Sequence, residues 1–137
     1  MAPRKTRVVD EELLVVEVSL ASSDRDHDLR VEFLNRPYRL LRLGTNGDVD
    51  TAETLVRRWS ALADQVAVNG AAEALATGLL DVDPAQATAR LVAAAPAGPA
   101  TDGHRLREVL QEWAVRRVQY EMPGYFTNAR TIVLGTD

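Results

Sequence analysis

Apolar positions fall in two rhythms along this chain, and the change of rhythm marks the elements. Leu13-Leu14-Val15-Val16-Glu17-Val18-Ser19-Leu20 is a short β-branched run with only late polar breaks, as expected of a strand buried on both faces of a parallel sheet. The polar stretch to Asp28 supplies caps for a short helix with Leu29, Phe33 and Leu34 on one side, stopped by Pro37. A second strand is expected over 38–43, ending in the turn signal Gly44-Thr45-Asn46-Gly47-Asp48. From Asp50 the spacing becomes helical, through Ala52, Leu55, Val56, Trp59 and Leu62. Gln65 to Val68 is a third short strand, ended by Asn69-Gly70.

Residues 38–70 therefore read as strand, turn, helix and strand, with a helix long enough to cross over between parallel strands. Beyond them, Ala71 to Leu80 is alanine-rich and helical in character, and Pro84 suits the first turn of another helix. The Pro/Gly/Ala stretch 95–99 reads as a surface loop. Leu106, Val109, Leu110, Trp113 and Val118 mark a helix running to about Glu121, broken by Met122-Pro123-Gly124. Thr131 to Leu134 reads as a last strand.

The expected architecture is thus α/β: a three-layer, Rossmann-like sandwich around a mainly parallel sheet of about four strands, near 13–20, 38–43, 65–68 and 131–134. The 137 residues fit one domain, 1–137, and residues 1–10, with Arg4, Lys5 and Arg7, are expected to form a flexible, solvated end. A strand stopping at Gly135 suggests the front part of a larger protein.

Composition narrows the chemistry. Without cysteine there are no disulfides and no thiolate metal sites, which suits a cytoplasmic location. A formal net charge of −4 argues against a nucleic-acid partner, and no apolar run approaches the length of a membrane span.

Ligands of such sheets bind at the carboxyl ends of the strands. That places candidate ligand-binding residues at Ser22, Ser23 and Asp24, at Gly44, Thr45, Asn46 and Gly47, and at Asn69 and Gly70. The loop 44–48 could offer backbone amides to an anion, but it is neither a dinucleotide fingerprint nor a P-loop, and Asp48 and Asp50 repel phosphate. Tyr125 and Asn128, in the aromatic segment after the long helix, could line a pocket or an interface. The run Asp24, Asp26, His27, Asp28 lacks the spacing of a calcium loop and reads as capping and solvated charge; no metal site is expected. His104 lies near a helix start and reads as a surface histidine, since a catalytic role would need a partner within hydrogen-bond reach, and no catalytic residue is assigned.

The stretches Val18-Ser19-Leu20-Ala21-Ser22-Ser23-Asp24-Arg25-Asp26, Arg42-Leu43-Gly44-Thr45-Asn46-Gly47-Asp48, Leu110-Gln111-Glu112-Trp113-Ala114-Val115-Arg116 and Glu121 to Arg130 together resemble the N-terminal region of large actinobacterial dehydrogenase-like proteins, distantly similar to shikimate/quinate dehydrogenases and acyl-carrier-protein reductases. The resemblance implies that the nucleotide fingerprint lies downstream. NAD(P) would then belong to a full-length relative, with no cofactor held by this chain.

Three functions remain open. The first is a non-catalytic N-terminal domain of a dehydrogenase-like protein, supporting substrate binding or domain assembly. The second is a stand-alone module for a small molecule or nucleotide. The third is a structural or oligomerisation protein. The expected partners are a second copy (a homodimer), a missing C-terminal domain, or a small-molecule ligand.

Overall fold

In a computed structural model, residues 11–95 and 100–127 are described. They divide into two compact units, one up to Asp102 and one from Gly103.

In the first unit the initial apolar run is β1, Leu13–Ser19. A single 3-10 turn, Ser23–Arg25, follows, and then a hairpin of β2, His27–Phe33, and β3, Arg36–Gly44. Next come α1, Val49–Trp59; β4, Gln65–Asn69; α2, Ala71–Ala76; α3, Pro84–Ala93; and β5, Ala100–Thr101. The strands form one five-stranded sheet in the order β2-β3-β1-β4-β5. β1 is central and parallel to both β3 and β4, β5 is parallel to β4, and β2 is antiparallel to β3.

Side chains alternate across this sheet with period two. Val16, Val18 and Leu20 from β1 and its end join Val66 and Val68 of β4 in the core. Ala52 and Val56 of α1, Ala71 and Ala74 of α2 and Ala87 and Leu91 of α3 close over that same face. Each turn of α1 and α3 contributes one apolar contact at i, i+4 spacing, which is how a short amphipathic helix seats on a sheet. Arg90 of α3 ties the two helices together on the outside, donating to Asp50 (2.5 Å) and Glu53 (2.7 Å) of α1. The Arg90 bond, and to a lesser degree that of Arg57, holds the Glu53 carboxyl below its usual range.

The expected three-layer, Rossmann-like sandwich with about four parallel strands is therefore corrected. The sheet has five strands and is mixed, with an antiparallel hairpin at one edge. The core side chains of α1, α2 and α3 all belong to one cluster with the even-numbered positions of β1. The 38–70 unit keeps its strand–helix–strand order, but its strands do not pair with each other. They flank β1, which lies between them. The expected last strand at 131–134 lies outside the described residues.

The largest local departure is the segment after Asp28, read as a short helix with Leu29, Phe33 and Leu34 on one side and found as strand to Phe33 followed by a turn. Leu29 and Phe33 fit helical spacing, but Leu29, Val31 and Phe33 also alternate with Asp28, Arg30 and Glu32, and the period of two prevails. The reversal at Leu34 and Asn35 places both at positive φ, 51° and 56°. Two successive left-handed residues make the two-residue turn whose twist matches a hairpin. Pro37 does not end a helix; it sits in β3 opposite Glu32. With Phe33–Arg36 closing the turn as a hydrogen-bonded pair, Glu32–Pro37 is a non-hydrogen-bonded pair, so β2 asks no donor of the proline.

The second unit holds α4, His104–Glu121, entered through Gly103 at φ 73°. Its apolar residues Leu106, Val109, Leu110 and Trp113 are exposed. Ion pairs Arg116–Glu112 and Arg117–Glu121 run along its surface. No helix among the described residues is long and apolar enough to cross a membrane.

Leucine is a poor occupant of a left-handed position, where a Cβ costs roughly 1–2 kcal/mol. Leu34→Asn is therefore expected to stabilise the hairpin by about 1 kcal/mol, read as a higher urea midpoint at unchanged slope.

Candidate functional site

The carboxyl ends of β1, β3 and β4 converge, and the residues expected there meet. Ser22 opens the 3-10 turn, accepting from the Asp24 N–H (3.1 Å). The Ser23 N–H donates to Asn46 Oδ1 (2.9 Å), and the Asn46 amide donates back to Ser23 Oγ (3.0 Å). Asn69 donates to Glu17 (2.9 Å). Gly70 takes φ 81°, and a Cβ there would lie 2.4 Å from Ser19 Oγ. A Cβ on Gly44 would lie 2.6 Å from the Ser22 carbonyl oxygen, so the two loops touch backbone to backbone.

The backbone amides of this cluster decide its chemistry. The Gly44 N–H donates to Asp26 Oδ1 (2.6 Å). Those of Thr45, Asn46 and Gly47 donate to the carbonyls of Ser19 (2.9 Å), Ala21 (3.1 Å) and Leu20 (2.7 Å). The Asp48 N–H donates to Thr45 (3.0 Å). Every amide from Gly44 to Asp48 is thus directed into the chain. At the start of α1 the Asp48 carboxylate occupies the capping position, accepting from the Thr51 N–H (2.9 Å) and hydroxyl (2.7 Å). These bonds hold the Asp48 carboxyl below its usual value. The loop supplies its own anion.

Beside it lies a residue that the sequence reading passed over. Arg42 of β3 is only 8% exposed and reaches four partners. It donates to Glu17 (3.1 Å), to the Ser22 carbonyl (3.0 Å), to Asp26 (3.1 Å) and to Ser19 Oγ (3.1 Å). The signal was present in the pattern. Glu17 is the one charge within β1 and Arg42 a charge among the leucines of β3, and each needs a partner if buried. Their register, Glu17 opposite Arg42, supplies it.

The acidic run is dispersed by this arrangement. Asp26 faces Arg42 and Gly44, while Asp28 accepts from Arg39 on β3 (2.8 and 2.5 Å), which holds its carboxyl below the usual range. Asp24 is exposed. Among the described residues no group of three or more His, Cys, Asp or Glu is placed to hold a metal ion. His27 Nδ1 lies 3.0 Å from the Arg25 carbonyl, and His104 lies 3.3 Å from Glu108 one turn along α4.

Tyr125 belongs to the second unit. It is exposed and meets Phe126 edge to face, with ring centroids 5.1 Å apart. Asn128 lies outside the described residues.

The first unit coincides with a family assignment. Residues 14–102, well over half of the chain, match a family described as a domain of unknown function (DUF8753). The chain belongs to this family. No curated protein and no solved structure matches the chain. The matched segment begins in β1 and ends just past β5, so it contains the whole strand-end cluster and excludes α4.

Two outcomes follow from the cluster. Arg42→Met should lower stability by roughly 2–4 kcal/mol, because Glu17 and Asp26 lose their cation while only about a third exposed; urea unfolding measures it. Asp48 is the case of a folded value depressed below the unfolded one. Its contribution is complete above the ordinary carboxylate value and is lost as pH falls through the lower folded value. Asp48→Ala should thus melt below the parent at neutral pH, and the difference should shrink in acid, where the parent has also lost its cap.

Proposed function

We propose that this chain is a non-catalytic assembly domain, the supporting part of a larger dehydrogenase-like protein, with no cofactor of its own. The observation that carries the reading is an inversion of the usual surface pattern. At the strand ends, where a ligand of such a sheet would bind, the backbone donors of residues 44–48 are all directed inward. Elsewhere large apolar side chains face out, on β2 and along α4. A ligand site needs the opposite, with donors turned to the outside and apolar groups lining a hollow. The dehydrogenase-like setting rests on the resemblance of the sequence stretches quoted above.

Thermal melting of the purified chain against nicotinamide cofactors, nucleotides, small acids and divalent ions tests this. A ligand at a hundred times its Kd adds about 2.7 kcal/mol, which moves the melting temperature of a domain this size by several degrees. The expected result is no shift for any of them. A clear shift with a nucleotide or nicotinamide cofactor would overturn the reading in favour of a binding module.

A further inference from the structure

The free edge of the sheet carries a specific expectation. β2 is the outermost strand in the order β2-β3-β1-β4-β5 and pairs only with β3 among the described residues. It runs unbroken from His27 to Phe33, without proline or bulge. Leu29, Val31 and Phe33, on one of its faces, are 48%, 39% and 62% exposed. A long, regular edge with an apolar face is the form of strand that natural sheets otherwise protect.

Which groups point outward follows from the hairpin. The pair closing a two-residue turn, Phe33–Arg36, is hydrogen-bonded, and bonded pairs alternate along an antiparallel ladder. Residues 27, 29, 31 and 33 therefore exchange with β3. The N–H and C=O groups of Asp28, Arg30 and Glu32 point away from it.

We propose that this edge pairs antiparallel with β2 of a second copy, about a two-fold axis at Val31. The strand's own charges select that register. An axis at Arg30 would set Arg30 against Arg30 and Asp28 against Glu32, which is repulsive. An axis at Leu29 would pair Asp28 with Arg30 but leave Phe33 beyond the overlap. An axis at Val31 places Arg30 opposite the partner's Glu32 twice over, in the positions whose backbone groups point outward. On the other face it sets Val31 against Val31 and Leu29 against Phe33. Arg30 now pairs with Glu12 at 2.9 Å, in an exposed contact that leaves its remaining donors free to reach across. The result is a continuous ten-stranded sheet whose apolar face crosses the two-fold axis. This deepens the assembly reading and rests on it, giving that reading a partner and a register.

Charge exchange tests it. Sedimentation equilibrium from about 1 µM to about 1 mM gives the dimer Kd of the full chain. Arg30→Glu and Glu32→Arg each create two like-charge pairs across the axis and should each raise Kd at least about tenfold. The double variant, Arg30→Glu with Glu32→Arg, restores opposite charges and should return Kd to within about threefold of the parent. Far-UV circular dichroism and the melting temperature verify that each variant folds; both side chains lie on the sheet edge, and their exchange leaves the core untouched. A chain that stays monomeric throughout overturns the proposal. So does a dimer indifferent to the single changes, or one that the double change fails to restore. In those last two cases association uses another surface and the assembly reading survives, whereas the ligand melts decide that reading separately.

Discussion

The guanidinium of Arg42 is the point on which the carboxyl end of the sheet depends. It is buried at the junction of β3, β1 and the turn between β1 and β2, with Glu17 and Ser19 on one side and the Ser22 carbonyl and Asp26 on the other. A buried cation without partners is prohibitive, so the chain has to bring them all at once. Doing so fixes Asp26, whose same oxygen takes the Gly44 N–H, and this in turn draws the loop 44–48 onto the end of β1. Gly44 and Gly70 are glycines because the backbones and Ser19 then lie too close for a Cβ. The tightness of the strand-end loops and their lack of free donors have one origin.

That origin is also why the site looked like something else in the sequence. A loop of Gly, Thr, Asn, Gly and Asp between strand and helix is the composition of an anion cradle, and its placement at the strand end was legible from the turn signal alone. Its hydrogen-bond accounting was not. The acceptors for Thr45, Asn46 and Gly47 are backbone carbonyls of residues 19–21, more than twenty positions away. No local pattern reveals which carbonyls a loop will meet. The Asp48 carboxylate, by contrast, was a readable warning, since a side chain that caps its own helix occupies the position an anion would take.

The elements divide along the same line. β1, β3, α1, β4 and α4 were legible from an apolar run or a helical spacing, and β3, β4 and α4 also from the Gly, Asn or Pro that closes them. Residues 28–34 satisfied two periods, and what decided between them was the pair of left-handed residues at Leu34 and Asn35, which are not the Asn-Gly that normally announces such a turn. β5 has only two residues, too few for any period. Strand order is set by contacts between distant segments. The helix between β3 and β4 was correctly read as a crossover. That it passes β1, leaving β1 central and the core on one face, follows only from seeing where Val16, Val18, Val66 and Val68 point.

The strand form of β2 changes what the surface of the sheet presents. As a helix, residues 29–34 would have gathered Leu29, Phe33 and Leu34 on one side. As an edge strand they present Leu29, Val31 and Phe33 outward on a backbone that, among the described residues, pairs on one side alone. The hairpin is held in this form by the Asp28–Arg39 pair and by a turn that accepts an unfavourable leucine at φ 51°. All of it lies inside the segment that defines the family match, whereas α4 lies outside. An exposed apolar edge of alternating charge is therefore a property of the matched unit itself. Its Asp28, Arg30 and Glu32 alternate in sign along that edge, so like charges oppose one another in one antiparallel register and opposite charges meet in another.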